Sequence, residues 1–387
     1  MQNFVLHNQT KIIFGADRIS EIGREGRAFG KRALLVFGQG SIKKNGIFET
    51  VTKSLADQGM EIVLHGGVQS NPLLSHVRLG IERAKKREVD VIVAVGGGSV
   101  IDSAKAISAG ALVEHDVWKF FTGKKSIKKC LPLTCVLTLA AAGSEMNGGM
   151  VISHDEKKLK FGTGNKLLNP AVSILDPTAT YSVPATYTAY GAVDAIAHIL
   201  EFYFTTADPS TPVQDRFMEG LVLNIIESCE KVLKKPADYQ GRADLMWCST
   251  LALNGWTAAG LGLVGFPMHM IEHTLSAHHN VPHGAGLSVI VPAWLSFQAQ
   301  KNPRKYAQLG QRVFQVENSD IKTTAQEGIK RLKKWFEKIG CPTTLKGLKI
   351  SADEIPFLAE QSLPLASIWR LKDYDHKKIE AILRGCV

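Results

Sequence analysis

Cysteine pairs, long apolar runs and acidic residues are all in short supply in this 387-residue chain, and each shortage excludes something. Its six cysteines, Cys130, Cys135, Cys229, Cys248, Cys341 and Cys386, are scattered, with no Cys-x-x-Cys pair. A disulfide framework is therefore not expected in so large a chain; reduced, buried thiols and a cytoplasmic location are. The longest apolar stretch, around Val136–Ala142, falls far short of the roughly 18 residues a membrane span requires. The start, Met1-Gln-Asn-Phe-Val-Leu-His7, shows no basic region followed by an apolar run, so no secretory signal is expected. Acidic residues number 36 against 46 Lys and Arg, a net charge of +10. That excess is spread along the chain, as in residues 301–340, at spacings that suit solvated helix faces. No aromatic-interleaved basic motif accompanies it, so neither nucleic acid nor membrane is an expected partner.

What is present is ordinary for a globular protein: 45% apolar and 21% charged residues, in a chain long enough for two domains. Phe4-Val-Leu6 and Lys11–Phe14 flank Asn8-Gln-Thr10 and predict a hairpin. Candidate strands follow at Ala33–Phe37, Glu61–Leu64, Val89–Val95 and Cys135–Leu139, separated by amphipathic helices such as Gly46–Gln58 and His76–Lys86. Apolar, β-branched strands alternating with helices predict a parallel sheet covered on both faces. After Leu175-Asp-Pro177 helical periodicities take over, with breakers at Lys235-Pro-Ala and Gly340-Cys-Pro. The expectation is an α/β domain over residues 1–185 and an all-α domain over residues 186–387.

Two clusters of potential metal ligands lie in the second half. Asp194 and His198 are spaced i, i+4, which puts carboxylate and imidazole on one helical face. The second cluster reads His269-Met-Ile-Glu-His273, then Pro282-His283-Gly284. One carboxylate and three imidazoles would close a shell around a divalent ion such as Zn²⁺ or Fe²⁺, with a position left open for substrate. Spacing alone does not choose between His269 and His273, which share a helical face. His278 and His279 read as ordinary structural histidines.

In the first half, strand Val91–Val95 runs into Gly96-Gly-Gly-Ser-Val-Ile-Asp102-Ser-Ala-Lys105. Gly97 and Gly98 let the backbone approach a diphosphate, Ser99 adds a hydroxyl, and the helix starting near Val100 offers its positive N-terminus. The plain alternative is a glycine-rich turn that only reverses the chain. A second turn, Gly38-Gln39-Gly40-Ser41-Ile-Lys-Lys44, fails the Gly-x-Gly-x-x-Gly fingerprint, since position 43 is Lys. It also lacks the strand-end carboxylate that would repel a ribose 2′-phosphate; neutral Gln39, with Ser41, Lys43 and Lys44 close behind, tolerates or favours NADP over NAD, the alternative being a plain basic turn.

Together, Gly96-Gly-Gly-Ser-x-x-Asp102-x-x-Lys105 and the Asp194/His198/His269/His283 set resemble the iron-containing (group III) alcohol dehydrogenases. Within that family the chain is most similar to the NADPH-dependent butanol dehydrogenase and aldehyde reductase branch. The similarity runs over essentially the whole length, including Leu175-Asp-Pro177 and Asp215-Arg-Phe217. It implies a Rossmann-like N-terminal domain, a helical C-terminal domain, a cleft holding NADP(H) and one divalent metal, Fe²⁺ or Zn²⁺, and a homodimer. Carried over, Asp194, His198, His269 and His283 match metal ligands, and His273 matches a histidine that relays protons. Thr138–Glu145 matches a segment contacting diphosphate and nicotinamide; Ala142 stands where the family usually has threonine, so one phosphate hydrogen bond is expected to be missing. Asn71, Asp102, Asn147 and Lys160 match further cofactor positions. The expected reaction interconverts small aldehydes and primary alcohols, favouring reduction. Alternatives are a glycerol-type polyol dehydrogenase, a sugar-phosphate cyclase, which would need basic residues around His269–His283 that the sequence lacks, and a non-catalytic metal or nucleotide sensor.

Overall fold

The structure is a computed structural model that describes residues 1–208 and 210–387. The chain forms two compact units. A sheet unit comprises His7–Val183 and Lys235–Asn254; a helical unit comprises Met1–Leu6, Pro184–Lys234 and Gly255–Val387.

Eight strands lie in the sheet unit: β1 (Lys11–Phe14), β2 (Arg32–Gly38), β3 (Glu61–Val68), β4 (Val91–Gly96), β5 (Leu133–Leu137), β6 (Gly149–His154), β7 (Leu159–Gly164) and β8 (Val172–Leu175). Six form one parallel sheet in the order β1-β8-β5-β4-β2-β3. β4 reads Val-Ile-Val-Ala-Val-Gly and is buried throughout, because both sheet faces are covered. One face packs Leu35, Val93, Val95, Val136 and Ile174 against Ile22, Val51 and Leu55. On the other, Ile92 and Ala94 are as fully enclosed, with Ile101, Ala104 and Ile107 of the helix Gly98–Gly110. Each of the Val, Leu and Ile side chains contributes roughly 1.5–3 kcal/mol of burial free energy.

The expected N-terminal hairpin does not form. Phe4-Val-Leu6 is not a strand, and β1 pairs in parallel with β8, Lys11 opposite Val172. The residues read as a turn anchor the chain instead. The Asn8 amide donates to the carbonyls of Met146 (2.7 Å) and Asn254 (3.1 Å), and its Oδ1 accepts from Thr10 N. The antiparallel pair β6–β7 and the strand β8 carried no sequence expectation. Four polar residues, Asp155–Lys158, supply the turn between β6 and β7. After β8, Asp176 accepts from Thr178 N at 2.9 Å and Pro177 opens a short 3-10 turn, so Leu175-Asp-Pro ends the last strand.

One helix of the second half, Tyr239–Ala252, belongs to the sheet unit. Thr250 on it donates to the buried Glu145 carboxylate, which fixes it there. The remaining second half is helical: Ala185–Thr205, Pro212–Lys234, Pro267–His279, His283–Ala299, Arg304–Arg312, Ile321–Lys338, Ile355–Ile368 and His376–Arg384. Ala185–Thr205 is enclosed along most of its length, with fifteen buried residues. None of the described helices is long and apolar enough to cross a membrane.

Candidate metal centre and nucleotide loops

Three helices of the helical unit bring Asp194, His198 and His269 within 4.8 Å of one another, with His283, which also clusters with Glu272 and His273, beside Asp194. Asp194 and His198 stand one turn apart on Ala185–Thr205, and His269 lies in the first turn of Pro267–His279. That helix ends on Asn280 in the left-handed conformation (φ 51°), which is tolerable for asparagine and starts the return of the chain. His283 then opens the next helix only three residues later. Close approach here depends on glycine. A Cβ at Gly284 would lie 2.2 Å from the Tyr190 carbonyl oxygen, and one at Gly286 would lie 2.5 Å from Glu272 Oε1.

One oxygen, Asp194 Oδ1, sits 3.3 Å from His198 Nε2, 3.7 Å from His269 Nε2 and 3.7 Å from His283 Nε2. Donors bound at 2.0–2.1 Å around a tetrahedral ion are about 3.4 Å apart, so this spacing suits a divalent cation. Asp194 Oδ1 and His269 Nε2 are buried without a hydrogen-bond partner. Such atoms are costly unless something else coordinates them.

The electrostatics agree. Burial opposes ionisation of Asp194, yet the imidazoles of His198, His269 and His283 hold its pKa well below the usual carboxylate value. Burial and the neighbouring His269 push His198 down to about 4. Burial acts the same way on His269, but the nearby carboxylates of Asp194 and Glu201 prevail and raise it to about 9.

Two carboxylates unforeseen in the sequence stand behind the histidines. Glu201, fully buried, accepts from His269 Nδ1 at 3.1 Å, and Glu272, also fully buried, bonds His283 Nδ1. Each keeps the proton on Nδ1 and aims the Nε2 lone pair at the centre. Glu201 had a signal: it is seven residues after Asp194, on the same helical stripe. Glu272 had none beyond lying between two histidines. His273 is 2% exposed, its ring 5.5 Å from His283 and 5.3 Å from Trp369. Phe266 packs 5.8 Å from His269, whereas Trp256 is 44% exposed. His278 and His279 face Phe357 and Glu354, away from the cluster.

All twelve expected cofactor residues fall in the sheet unit, most at the carboxyl ends of parallel strands. Sheet order reverses between β2 and β4, and Phe37 pairs with Val95 there. Gln39, Gly40, Ser41 and Lys44 follow β2, while Gly97, Gly98 and Ser99 follow β4. Both loops thus flank the switch point where open α/β sheets take their ligands. Asn71 follows β3 and Thr138 follows β5. Gln39 and Lys44 are exposed, with no carboxylate in their turn. The helix begins at Gly98 rather than near Val100, with Gly97 as its N-cap. A Cβ on Gly97 would lie 3.1 Å from Leu139 and one on Gly98 would lie 3.6 Å from Ala142, so segment 138–142 runs directly beside the glycines.

Several side chains expected on the cofactor are engaged by the protein. Ser99 Oγ donates to the Ser70 carbonyl. Asp102 accepts from Ser144 Oγ (2.6 Å) and Val151 N (2.8 Å). Asn147 donates to the Gly143 carbonyl and accepts from Gly149 N, each at 2.8 Å. Asn71 and Lys160 are buried.

A parallel sheet with a glycine-rich switch point, and a helical unit with an aspartate and three histidines, define a nicotinamide- and metal-dependent dehydrogenase. Residues 9–177 match the family model of iron-containing alcohol dehydrogenases, and residues 188–387 match that family's C-terminal model. The chain belongs to the iron-containing alcohol dehydrogenase family, whose members interconvert alcohols and aldehydes with a nicotinamide cofactor and an iron-type divalent metal. It is 38% identical over 387 residues, 100% of both chains, to the probable NADH-dependent butanol dehydrogenase 1 of Bacillus subtilis. It is 35% identical over 364 residues, 93% of each, to the NADPH-dependent aldehyde reductase YqhD of Escherichia coli. The solved structure of NADH-dependent butanol dehydrogenase A from Thermotoga maritima matches with a TM-score of 0.96 at 40% identity, covering 100% of this chain and 99% of that one.

Proposed function

We propose that this protein reduces small aldehydes to primary alcohols with NADPH, and runs the reverse reaction less favourably, using one divalent cation, Fe²⁺ or Zn²⁺, held by Asp194, His198, His269 and His283. The convergence of three imidazole Nε2 atoms within 3.3–3.7 Å of one carboxylate oxygen carries this reading. When bound, the cation supplies Lewis acidity toward a carbonyl oxygen. The chain does the rest. Glu201 and Glu272 fix the tautomers of His269 and His283, and buried Phe202 with half-buried Phe266 and Trp369 keeps much of the water away. His273, one turn from His269, would pass a proton toward the product oxygen, and a bound nicotinamide would supply the hydride.

Gly97, Gly98 and the amide groups of the helix start would cradle the diphosphate, with Ser99, Thr138, Asn71 and Lys160 around them. Gln39, Gly40, Ser41 and Lys44 form the ribose side. A neutral residue at the end of β2 with lysines behind it supports NADP(H), since a 2′-phosphate finds no carboxylate to repel it. Similar proteins are named for both cofactors, so kinetics must choose. We also expect a cytoplasmic homodimer, which sedimentation would test. The decisive experiment pairs metal analysis with absorbance of NADPH, then NADH, as butyraldehyde is added. Turnover at full speed by verifiably metal-free protein, or a preference for NADH, would overturn the corresponding part.

A further inference from the structure

Lys105 has a whole ammonium group sealed in the sheet unit, and the reaction makes no use of it. It is 0% exposed, and Nζ donates to Ser144 Oγ (2.8 Å), Asn147 Oδ1 (3.2 Å) and the Gly149 carbonyl (2.7 Å). Those three bonds exhaust the donors of an ammonium. One turn earlier on the same helix, Asp102 binds the same stretch through Ser144 Oγ and Val151 N. The helix Gly98–Gly110 starts at the triglycine loop, so the element offering its N-terminus to a diphosphate also grips residues 144–151 from its middle. Segment 138–142 leads directly into that stretch and lies against Gly97 and Gly98.

We propose that Lys105 is a positioning residue for the cofactor: with Asp102 and Ser144 it locks the 138–149 segment onto the phosphate-loop helix, so that both present one rigid surface to the nucleotide. This rests on the reading of that segment and loop as the nicotinamide cofactor site. It also reassigns Asp102 and Asn147 from touching the cofactor to holding the segment that does. A buried ammonium is a costly way to fasten a turn, and burial pulls its pKa down to about 8 against the pull of Asp102. Its return is geometric: three acceptors on three residues fix one point of the segment, where a neutral side chain would fix fewer. Gly143, with φ 63° and a notional Cβ only 3.0 Å from the Ser249 carbonyl, lets the segment turn sharply into that grip.

The test compares wild type, Ser144→Ala and Lys105→Met, reading NADPH dissociation constants by fluorescence, bound metal by elemental analysis, and thermal midpoints. Ser144→Ala removes two bonds, the one from Lys105 and the one to Asp102, and no charge, and should weaken NADPH by about five- to thirtyfold, as the loss of one to two net hydrogen bonds implies. Lys105→Met should weaken it further, with metal content unchanged. Since Lys105→Met removes the positive charge near the Asp102 carboxylate, the double variant Asp102→Asn/Lys105→Met serves as its neutral counterpart. Recovery of the thermal midpoint without recovery of NADPH affinity supports positioning. Affinity within twofold of wild type in Ser144→Ala and the double variant overturns it. Wild type that binds neither nucleotide overturns the cofactor reading itself, and the proposal with it.

Discussion

Glu272 illustrates how much of a metal ligand lies outside the ligand. His283 is the most exposed of the three imidazoles, and the buried carboxylate on its Nδ1 fixes both its ring plane and its tautomer. Glu272→Gln keeps shape and volume but lets the amide present a donor to Nδ1. Metal affinity should drop by about 10–100-fold, the usual cost of losing such a partner, as equilibrium competition with a chelator would measure. Unchanged affinity would mean the pair is incidental. The histidines themselves separate by role. His283→Ala should lose metal and turnover together, whereas His273→Ala should retain metal in elemental analysis and lose rate by about 10²–10⁴-fold, the range for a positioned proton-transfer group. Metal loss from the His273 variant would make it a ligand.

These residue-level roles were unequally readable. The i, i+4 spacing of Asp194 and His198 announced one helical face, and Glu201 continues it by another turn. The choice between His269 and His273 was not readable, because both share a face and only the tilt of a helix selects one. The cofactor side chains divided similarly. Backbone features at Gly97 and Gly98 follow from local sequence, but the capture of Asp102 by Ser144 depends on a contact 42 residues away.

At the scale of elements, the centre exists because helices come closer than most side chains permit. Gly284 is pressed against the Tyr190 carbonyl of the neighbouring helix, so even a methyl group there must push His283 away from Asp194. Gly284→Ala should cost about 1–3 kcal/mol of stability, the usual penalty for overpacking, and release metal; calorimetry and elemental analysis of one sample would check both. On the sheet side, the rings of His65 on β3 and His76 lie tilted against each other with centroids 4.2 Å apart, and the His65 Nε2 is buried without a partner. Burial, then the neighbouring His76, pushes its pKa down from 6.5 to about 4. A histidine depressed in the folded state leaves stability intact above the unfolded value. The unfolded chain takes up the proton first, so stability falls as pH drops from 6.5 toward 4. His65→Leu should flatten that acid limb in thermal scans across the same interval. An unchanged slope would assign the loss to other groups.

The same scale shows where periodicity misled. Phe4-Val-Leu6 has strand composition, but Asn8 spends its side chain on distant carbonyls and leaves β1 to pair with β8. The β6–β7 pair escaped notice since its strands alternate apolar residues with His, Ser, Lys and Gly, a weak two-residue period.

For the molecule as a whole, the cation is expected to be part of the helical unit's stability as well as its chemistry. Asp194, Glu201 and Glu272 place three carboxylates inside that unit. Removing a divalent cation leaves them with less compensating charge. Exhaustive chelation should therefore speed hydrogen exchange in Ala185–Thr205, Pro267–His279 and His283–Ala299 while β2, β4 and β5 stay protected. NADPH, by binding the folded form, should instead raise protection around the loops after β2 and β4. Uniform loosening of both units on chelation would contradict this division.

Sequence alone settled what depends on short spacing: apolar strands alternating with helices, a glycine run between a strand and a helix, and ligand types one turn apart. It did so because backbone geometry repeats every two or 3.6 residues, and neighbours in the chain inherit that repeat. Tertiary structure alone decided which histidine faces Asp194, which carboxylates stand behind the ligands, why Lys105 is buried, and that Tyr239–Ala252 joins the sheet. Each of these is a meeting of groups far apart in the chain, fixed by side-chain packing and the need to pair buried charge, and no local period encodes it.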